Sequence, residues 1–391
     1  MTRDGLRTLL LHATGAPRWS RVVVDTLTGG RRLPTWLFPH AWRRSRYVRF
    51  VTEPGYSALS YVLDWKEAFC QAPALRVDPC NVTNLAEFRA GLRRLAEYDL
   101  VIILHSAAGD CLTPLRWATR WFQGRRGALV MFPGNEYASM RDKIAFARAV
   151  RAEYIASQLP LDAATWLYAQ CEGSRVLSVP GALNPAVYRP GPRPRPIDIG
   201  FRGDLYGISL GDVERTQFLR RVQADGQRWG VATDIAFERV PRDAWGAFLN
   251  ACKGIVGAEG GTYYLERDDR TQRAVARYLR WRPGAPFEDI YDRFFAKRSV
   301  TVSGKAISAR HFEPVGTKTC QLLLEGRYSD LLVPDEHYIA VTRDLANLDD
   351  AVARFRDATY RQAMVERTYQ YVLDQHTYRH RVDAVLTAVL G

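Results

Sequence analysis

Short, continuously apolar segments recur along this chain and alternate with segments whose apolar residues follow helical spacing. The clearest are 98–105 (YDLVIILH), an apolar run with polar ends, and 128–132 (ALVMF), which is ended by Pro133-Gly134. A strand that is apolar on both faces is typical of a parallel sheet covered by helices on both sides. The alternation of such strands with helices therefore predicts an α/β fold with parallel sheets and right-handed crossovers.

A proline-rich tract divides this pattern into two halves. Residues 189–196 (RPGPRPRP) contain four prolines, and proline continues neither a helix nor a central strand. A further strand-like segment lies at 46–52 in the first half, and others lie at 197–201 and 254–257 in the second. Segment 266–298 reads as a helical excursion that is rich in arginine and aromatic residues. We therefore expect two α/β halves on either side of the tract.

Length and composition exclude several classes of protein. With 391 residues, 47% of them hydrophobic, the chain has enough apolar material for two cores and does not belong to the disordered class. Its longest aliphatic run, 100–104, is far shorter than the roughly 20 residues that cross a bilayer. The six cysteines form no CxxC pair and no zinc-like cluster, and the first residues carry no secretory signal pattern. These features predict a cytoplasmic protein with reduced thiols.

The excess of basic residues is concentrated at the start of the chain. The formal net charge is +13, and residues 1–50 hold ten arginines and two aspartates. Within them, 31–46 mixes arginines with two tryptophans and a phenylalanine, a composition that suits an anionic membrane surface. Pro34 and Pro39 prevent one continuous amphipathic helix there. The segment therefore suggests peripheral membrane contact, whereas nucleic acid is not expected because no recognition motif accompanies the charge.

The segment with the clearest chemistry is 310–325 (RHFEPVGTKTCQLLLE). Pro314 and Gly316 interrupt regular structure, so the pattern predicts a loop that enters a helix over 318–324 with Thr317 as its N-cap. The free amides of such a helix start, beside a lysine, would form an anion site. Glu313, one loop turn earlier, would accept hydrogen bonds from hydroxyl groups. Together these groups suggest a sugar linked to a nucleotide diphosphate.

The same residues resemble a known family. Segment 313–321 is similar to the E-x7-E element of the group 1 glycosyltransferases of the GT-B fold, closest in style to their spore-maturation-type branch. The strand and loop at 199–203 (IGFRG), the glycine turn that ends 241–261, and the closing segment 376–386 also resemble that family. The resemblance covers about 197–391. One departure is Gln321, which stands where the family has its second glutamate.

The resemblance implies two Rossmann-like domains facing across a cleft. Residues 1–190 would form the acceptor domain with its basic N-terminal extension, and 197–375 the nucleotide-sugar donor domain. The last helix, 376–391, would pack back on the first domain. The implied reaction is transfer of a sugar from a nucleotide-sugar donor to a glycan, a lipid-linked glycan or a small molecule. The family favours retention of configuration without a metal, and the donor is a substrate, so no cofactor is expected.

The resemblance also assigns roles to individual side chains. Glu313 would hold the donor sugar, and His105, at the end of a strand in the first half, would face the reacting carbon. Segment 134–136 (GNE), with Glu136, would line the acceptor side. The residues assigned to the donor nucleotide are Arg202, Gly203, Glu259, Gly260, Lys305, Gly316, Thr317, Lys318, Thr319 and Gln321. Among them, Arg202 and Lys318 are expected to stabilise the leaving diphosphate, with Lys305 as a weaker candidate.

Two other classes of function stay open at this point. A structural or carbohydrate-binding protein could keep the same fold without turnover, and the glutamine at position 321 is the best support for it. A nucleic-acid-binding protein is suggested only by the net charge of +13. Donor hydrolysis or transfer would exclude the first, and the second requires a salt-dependent interaction with DNA or RNA.

Overall fold

The computed structural model describes residues 5–14, 18–29, 31–42, 45, 48, 51–52, 59–109, 111–191, 194–205 and 208–391. The chain divides into two compact units by its internal contacts. The first unit comprises Met1–Ser157, Leu167–Ser178 and Val385–Gly391, and the second comprises Gln158–Trp166 and Val179–Ala384. The domain boundary expected at 189–196 stays a prediction, but the contacts already group the chain from Val179 onwards with the second unit.

The first unit is built on a six-stranded parallel sheet in the order β2-β1-β3-β4-β5-β6. Its strands are β1 Leu6–His12, β2 Leu75–Asn81, β3 Leu100–Ile103, β4 Ala128–Met131, β5 Tyr154–Ser157 and β6 Arg175–Ser178. All four residues of β3 are fully buried, as its continuously apolar sequence predicts. Pairing of Leu100 with Thr8 on one side and Ala128 on the other places β3 inside the sheet.

Helices connect these strands, as a parallel sheet requires. They are α1 Trp19–Thr28, α2 Ser60–Cys70, α3 Leu85–Arg93, α4 Thr113–Trp117, α5 Thr119–Phe122, α6 Met140–Ala149 and α7 Leu161–Leu167. The strand predicted at 46–52 lies mostly outside the described residues. The three positions of it that are described, 48, 51 and 52, are helical, so the prediction of a strand is wrong there.

The second unit has a five-stranded parallel sheet in the order β11-β10-β9-β7-β8. Its strands are β7 Ile197–Arg202, β8 Thr233–Ala236, β9 Cys252–Gly257, β10 Cys320–Leu324 and β11 Ile339–Val341. Its helices are α8 Glu214–Trp229, α9 Arg242–Ala251, α10 Arg270–Trp281, α11 Phe287–Phe294, α12 Ala309–Gly316, α13 Leu348–Arg356, α14 Ala358–Gln375 and α15 Tyr378–Leu390. Separate hydrophobic cores, one including Phe218 and Val352 and the other Leu249 and Phe312, contribute to its packing.

Two parallel-sheet α/β units confirm the predicted fold class, and they are the pair of Rossmann-like units that a GT-B fold requires. The excursion predicted at 266–298 is also confirmed, as helices α10 and α11. The last helix, α15, contains the point in the sequence where the second unit ends, at Ala384, and the first unit resumes. Its residues from Val385 onwards are grouped with the first unit, where the Arg175 Nη1 donates to the Ala388 carbonyl at 3.4 Å.

The prediction of a loop entering a helix at 310–324 is wrong, because the segment forms a helix followed by a strand. Helix α12 occupies the expected loop and contains Pro314, while strand β10 occupies the expected helix. All five residues of β10 are buried, and the strand pairs with β9 and β11 on its two sides. The apolar run Leu322–Leu324 is therefore stabilised as a central strand.

Candidate functional site

The strand order of the second sheet marks one edge as the place for a ligand. The chain runs outward in one direction from β7 to β8 and in the other from β9 to β11, so the order reverses between β7 and β9. In open α/β sheets, ligands bind outside the carboxyl ends of the strands at such a switch point. A pocket lies there. Its lining is Phe201, Arg215, Trp245, Ile255, Val256, Gly257, Ala258, Gly260, Ser308, Arg310, His311 and Leu323.

Helix α12 begins at this edge, and His311 fixes its start. The Ser308 backbone amide donates to His311 Nδ1 at 3.1 Å. Since Nδ1 accepts that bond, the ring carries its proton on Nε2 and donates it to the Ala258 carbonyl at 3.1 Å. Burial lowers the pKa of His311 to about 4, so the ring is neutral at pH 7. His311 therefore joins the start of α12 to the loop after β9.

Arg310 brings a positive charge into the pocket. Its guanidinium carbon lies 4.1 Å from the centre of the Trp245 ring, and Nη2 donates to the Arg202 carbonyl. Burial is the main influence on the Arg310 pKa and lowers it, the nearby Glu313 raises it, and Arg215 lowers it. Within the described ranges, no carboxylate lies within ion-pair distance of Arg310.

Two further arginines lie near Arg310 and add to its field. Both Arg215 and Arg239 lower the Arg310 pKa by charge repulsion. Arg215 donates to the Asp204 carbonyl, and Arg239 pairs with the Asp204 carboxylate at 2.5 Å. Arg310 is half-buried, and partial desolvation of a cation without a carboxylate partner has a cost in the free protein. This edge, with the amide end of α12 beside it, is therefore suited to an anion.

Glu313 lies inside helix α12 and not in a loop. Its side chain is 2% exposed, and Oε2 accepts a hydrogen bond from Trp245 Nε1 at 2.6 Å. The Trp245 side chain therefore contacts a carboxylate through its ring nitrogen and the Arg310 cation through its ring face. A carboxylate (Glu313), an aromatic ring (Trp245) and a guanidinium cation (Arg310) therefore lie in contact at the switch point of the sheet.

Arg202 and Gly203, assigned to the nucleotide from sequence, do lie at the carboxyl end of β7. Arg202 is engaged with protein groups: Nη2 pairs with Asp234 Oδ2 at 2.7 Å, and the guanidinium stacks on Phe248 at 4.0 Å. A β-carbon on Gly203 would lie 3.2 Å from the Phe201 ring and 3.8 Å from the Arg310 guanidinium carbon. The glycine therefore leaves room beside Arg310.

Three other predicted donor residues brace the loops at the same edge. Gly260 exchanges both backbone hydrogen bonds with Ala306, at 2.9 and 3.0 Å. Glu259 Oε1 accepts from the Tyr328 amide at 2.7 Å, and burial is the main cause that raises its pKa. Lys305 is buried, pairs with Asp212 and lies 4.5 Å from the centre of the Tyr263 ring. Each of these three residues therefore bonds to another group of the protein.

The residues predicted at the helix start lie elsewhere. Lys318 and Thr319 come after α12 and before β10, at the amino edge of the sheet, and their amides donate to the carbonyls of Val315 and Pro314, both at 2.9 Å. Thr317 is likewise a C-terminal cap. The amides that were expected to bind an anion are therefore not a helix N-terminus.

Side-chain contacts agree with that correction. Lys318 pairs with Glu366 at 2.6 Å, and Arg195 from the proline-rich tract donates to Thr319 Oγ1 at 2.9 Å. Gly316 packs against Tyr188, since a β-carbon on it would lie 2.5 Å from the Tyr188 carbonyl oxygen. Gln321 is buried in β10, and its Nε2 donates to the His311 carbonyl at 2.9 Å. These contacts stabilise the amino side of the sheet.

His105 and Glu136 belong to the first unit. His105 follows β3, as expected, and its ring lies 5.5 Å from that of Trp65 and 5.2 Å from that of Phe132. Both of its ring nitrogens are buried, and in the described part of the chain neither has a hydrogen-bond partner. Glu136 Oε1 accepts from Ser157 Oγ at 2.6 Å and from the Tyr168 hydroxyl at 2.8 Å. The roles predicted for both residues stay predictions.

Buried neutral histidines predict an acid-labile fold. Burial lowers the pKa of His12 and His105 to about 3 and that of His311 to about 4. As the pH falls, each histidine takes up a proton in the unfolded chain before it does so in the folded one. Stability is therefore highest above about pH 6.5 and falls until the pH reaches the folded-state pKa, about 4 for His311 and about 3 for His12 and His105. We expect the unfolding free energy to drop over this range by at most about 1.4 kcal/mol per pH unit for each histidine.

Denaturant unfolding at several pH values tests this expectation. His105→Phe keeps an aromatic ring against Trp65 and Phe132 and removes one titrating group, so its stability should depend less on pH than that of the wild type. His40→Phe, at an exposed position, is the matched control and should keep the wild-type dependence. Equal slopes for all three proteins would contradict the assignment.

The sequence patterns do not identify Arg310, Trp245 or Arg215. Arg310 is one of 49 arginines, and its position falls in the predicted loop. The signal that could have located it is Ser308, a good N-cap residue directly before a helix start. With α12 begun there, Arg310 and His311 fall on the first turn, at the edge where ligands bind.

Comparisons with known proteins give one family match. A family model described as glycosyl transferase-like matches residues 244–387, less than half of the chain, and the matched region contains Trp245, Arg310 and Glu313. Among curated proteins, none matches the sequence.

Several solved structures are similar in outline. Anabaena HepE in complex with UDP-glucose is 11% identical, with 98% of this chain and 100% of that chain covered and a TM-score of 0.48. An α,α-trehalose-phosphate synthase (UDP-forming) from Burkholderia vietnamiensis is 14% identical, with 99% of each chain covered and a TM-score of 0.45. At such values the likeness carries no conclusion about the activity of this chain.

Proposed function

We propose that the chain is a glycosyltransferase that binds a nucleotide sugar at the switch point of its second sheet. The observation that carries the proposal is Arg310, a half-buried cation on the first turn of α12 that lines the pocket and has no carboxylate partner among the described residues. A diphosphate would supply the missing negative charge, and the amide end of the helix would add to its binding. The glycosyl transferase-like family match, which spans this region, supports the proposal.

The same groups suit the chemistry of glycosyl transfer. Cleavage of the bond between the sugar and the diphosphate places negative charge on the leaving phosphate oxygen, and fixed donors aimed at that charge lower the barrier. Arg310 is held in place by Trp245 and by the Arg202 carbonyl, so it is oriented before the donor binds. The Arg215 charge strengthens the local positive field.

Finer features of the reaction are part of the proposal. Retention of configuration, independence from metals and membership of the spore-maturation-type branch rest on the sequence resemblance alone. The acceptor is a glycan, a lipid-linked glycan or a small molecule. Gln321 no longer supports a protein without turnover, because its side chain is buried in β10 and bonded to the His311 carbonyl, away from the pocket lining.

Peripheral membrane contact through 31–46 also remains a proposal. In the described part of this segment, Trp36 and Trp42 are 72% and 64% exposed, which suits insertion at an interface. Arginines 43, 44 and 46 lie outside the described residues. Among the helices that are described, none is both long and apolar enough to span a bilayer.

A ligand screen by thermal unfolding tests the proposed function. A nucleoside diphosphate or its sugar conjugate should raise the melting temperature, because a ligand that binds only the folded state at 100 times its Kd adds about 2.7 kcal/mol of stability. The free nucleoside, which lacks the diphosphate, is the control and should add much less. The shift and the subsequent transfer of sugar should both persist in the presence of a chelator. Absence of stabilisation by every nucleoside diphosphate would overturn the proposal.

A further inference from the structure

Helices α10 and α11 form a small substructure within the second unit. They lie in the chain between β9 and α12, and they have a core of their own made of Val275, Ile290 and Phe295. Tyr278 packs edge-on against Phe294, with ring centres 5.6 Å apart. None of these residues lines the pocket of the candidate site, so the helix pair has no role in the proposed binding of the donor.

One face of α10 is strongly basic. At about 100° per residue, five side chains fall within about 100° of one another around the helix axis, opposite the buried Val275. All five are exposed, and Trp281 is 84% exposed. They are Arg270, Arg273, Arg277, Arg280 and Trp281. The row of arginines is about 15 Å long at 1.5 Å per residue.

Most of this charge is not neutralised by neighbours. Arg270 pairs with Asp268 at 3.2 Å, and Arg273 donates to the Asp268 carbonyl at 2.6 Å. Over the described residues, neither Arg277 nor Arg280 makes an ion pair or a side-chain hydrogen bond. Segment 270–298 contains eight basic and three acidic residues, a net charge of +5. The acidic residues all lie on α11, and none of them pairs with Arg277 or Arg280.

We propose that this face of α10 binds an anionic membrane surface. A row of exposed arginines matches the negative charge of acidic lipid headgroups, and the long arginine stems let the cations reach phosphates while the helix lies flat. An exposed tryptophan beside Arg280, on the same arc, fits the boundary between headgroups and acyl chains, where tryptophan is enriched. The indole favours a bilayer over a soluble polyanion, which arginines alone would bind.

Co-sedimentation with vesicles tests the proposal. The full chain should bind vesicles of phosphatidylcholine with phosphatidylglycerol and not vesicles of phosphatidylcholine alone. The double variant Arg277→Glu/Arg280→Glu should bind the anionic vesicles at least about 30-fold more weakly, since each arginine near the surface contributes about fivefold. Trp281→Ala should also weaken binding to the anionic vesicles. This weakening should persist at high salt, because salt screens the charge of the arginines but not the apolar contact of the indole.

A matched control separates this face from general charge. Arg89→Glu/Arg93→Glu reverses two exposed arginines one turn apart on α3 and should bind as the wild type does. Equal melting temperatures would show that every variant is folded. If the α10 variant binds like the wild type, membrane contact lies elsewhere and the proposal is overturned. Absence of wild-type binding, or binding to single-stranded RNA but not to vesicles, would overturn it as well.

Discussion

Replacing Arg310 by methionine is expected to weaken the binding of a nucleoside diphosphate about 100-fold, which corresponds to about 2.7 kcal/mol. The ligand-free protein should nevertheless unfold at the same temperature or a higher one. Both results follow from one feature, because burial lowers the Arg310 pKa and no carboxylate within the described ranges pairs with the guanidinium. Removing such a charge relieves a desolvation cost in the free protein and removes the partner of the anion in the complex.

Two variants serve as controls for this result. Arg202→Met removes an arginine that is paired with Asp234 at 2.7 Å, and Lys318→Met removes a lysine that is paired with Glu366 at the amino edge of the sheet. Both should change nucleotide affinity less than Arg310→Met does. Calorimetric titration and thermal unfolding on the same preparations measure both quantities. If Arg310→Met binds the nucleoside diphosphate as tightly as the wild type and Lys318→Met binds it more weakly, the proposal is wrong. The anion would then bind at 317–319, as the sequence predicts.

Strands β3 and β4 could be predicted because burial on both faces leaves a local trace, whereas β1 and β2 were not predicted. Residues 100–104 are all aliphatic, and all four residues of β3 are buried. The helix and strand at 310–324 could not be predicted in that way. Pro314 disfavours a helix interior, but seven of the eight residues of α12 are buried. Packing of Phe312 and Val315 in the second unit's core outweighs the local preference.

The candidate site was predicted at the level of the segment and not of its side chains. The predicted segment 310–325 contains Arg310, His311 and Glu313. Its pattern predicts a helix after Gly316 and therefore an anion at Thr317–Thr319. In the structure the helix begins at Ala309, so Arg310 lies at the carboxyl edge of the sheet and Lys318 at the amino edge. Contacts such as that between Trp245 and Glu313, 68 positions apart, have no local signature in a single sequence.

Glu313→Gln is expected to lower the rate of sugar transfer about 100-fold, the size of effect found when one well-placed polar group is removed from a transition state. Nucleotide affinity should change far less, because the diphosphate is assigned to Arg310 and the start of α12. The glutamine keeps an oxygen that accepts the bond from Trp245 Nε1, so the fold should be retained. What the variant loses is the negative charge, which raises the Arg310 pKa and is expected to hold the donor sugar.

Trp245→Phe separates the charge of Glu313 from its structural contact. The phenylalanine ring still faces the Arg310 guanidinium, but the buried Glu313 loses its N–H donor, at a cost of about 1–3 kcal/mol in stability. If Glu313 only braces α12, Trp245→Phe should lower both the melting temperature and the transfer rate, and Glu313→Gln should leave both near wild type. If its charge acts in transfer, Glu313→Gln should lower kcat at an unchanged melting temperature. Unchanged transfer by Glu313→Gln would remove the residue from the active site.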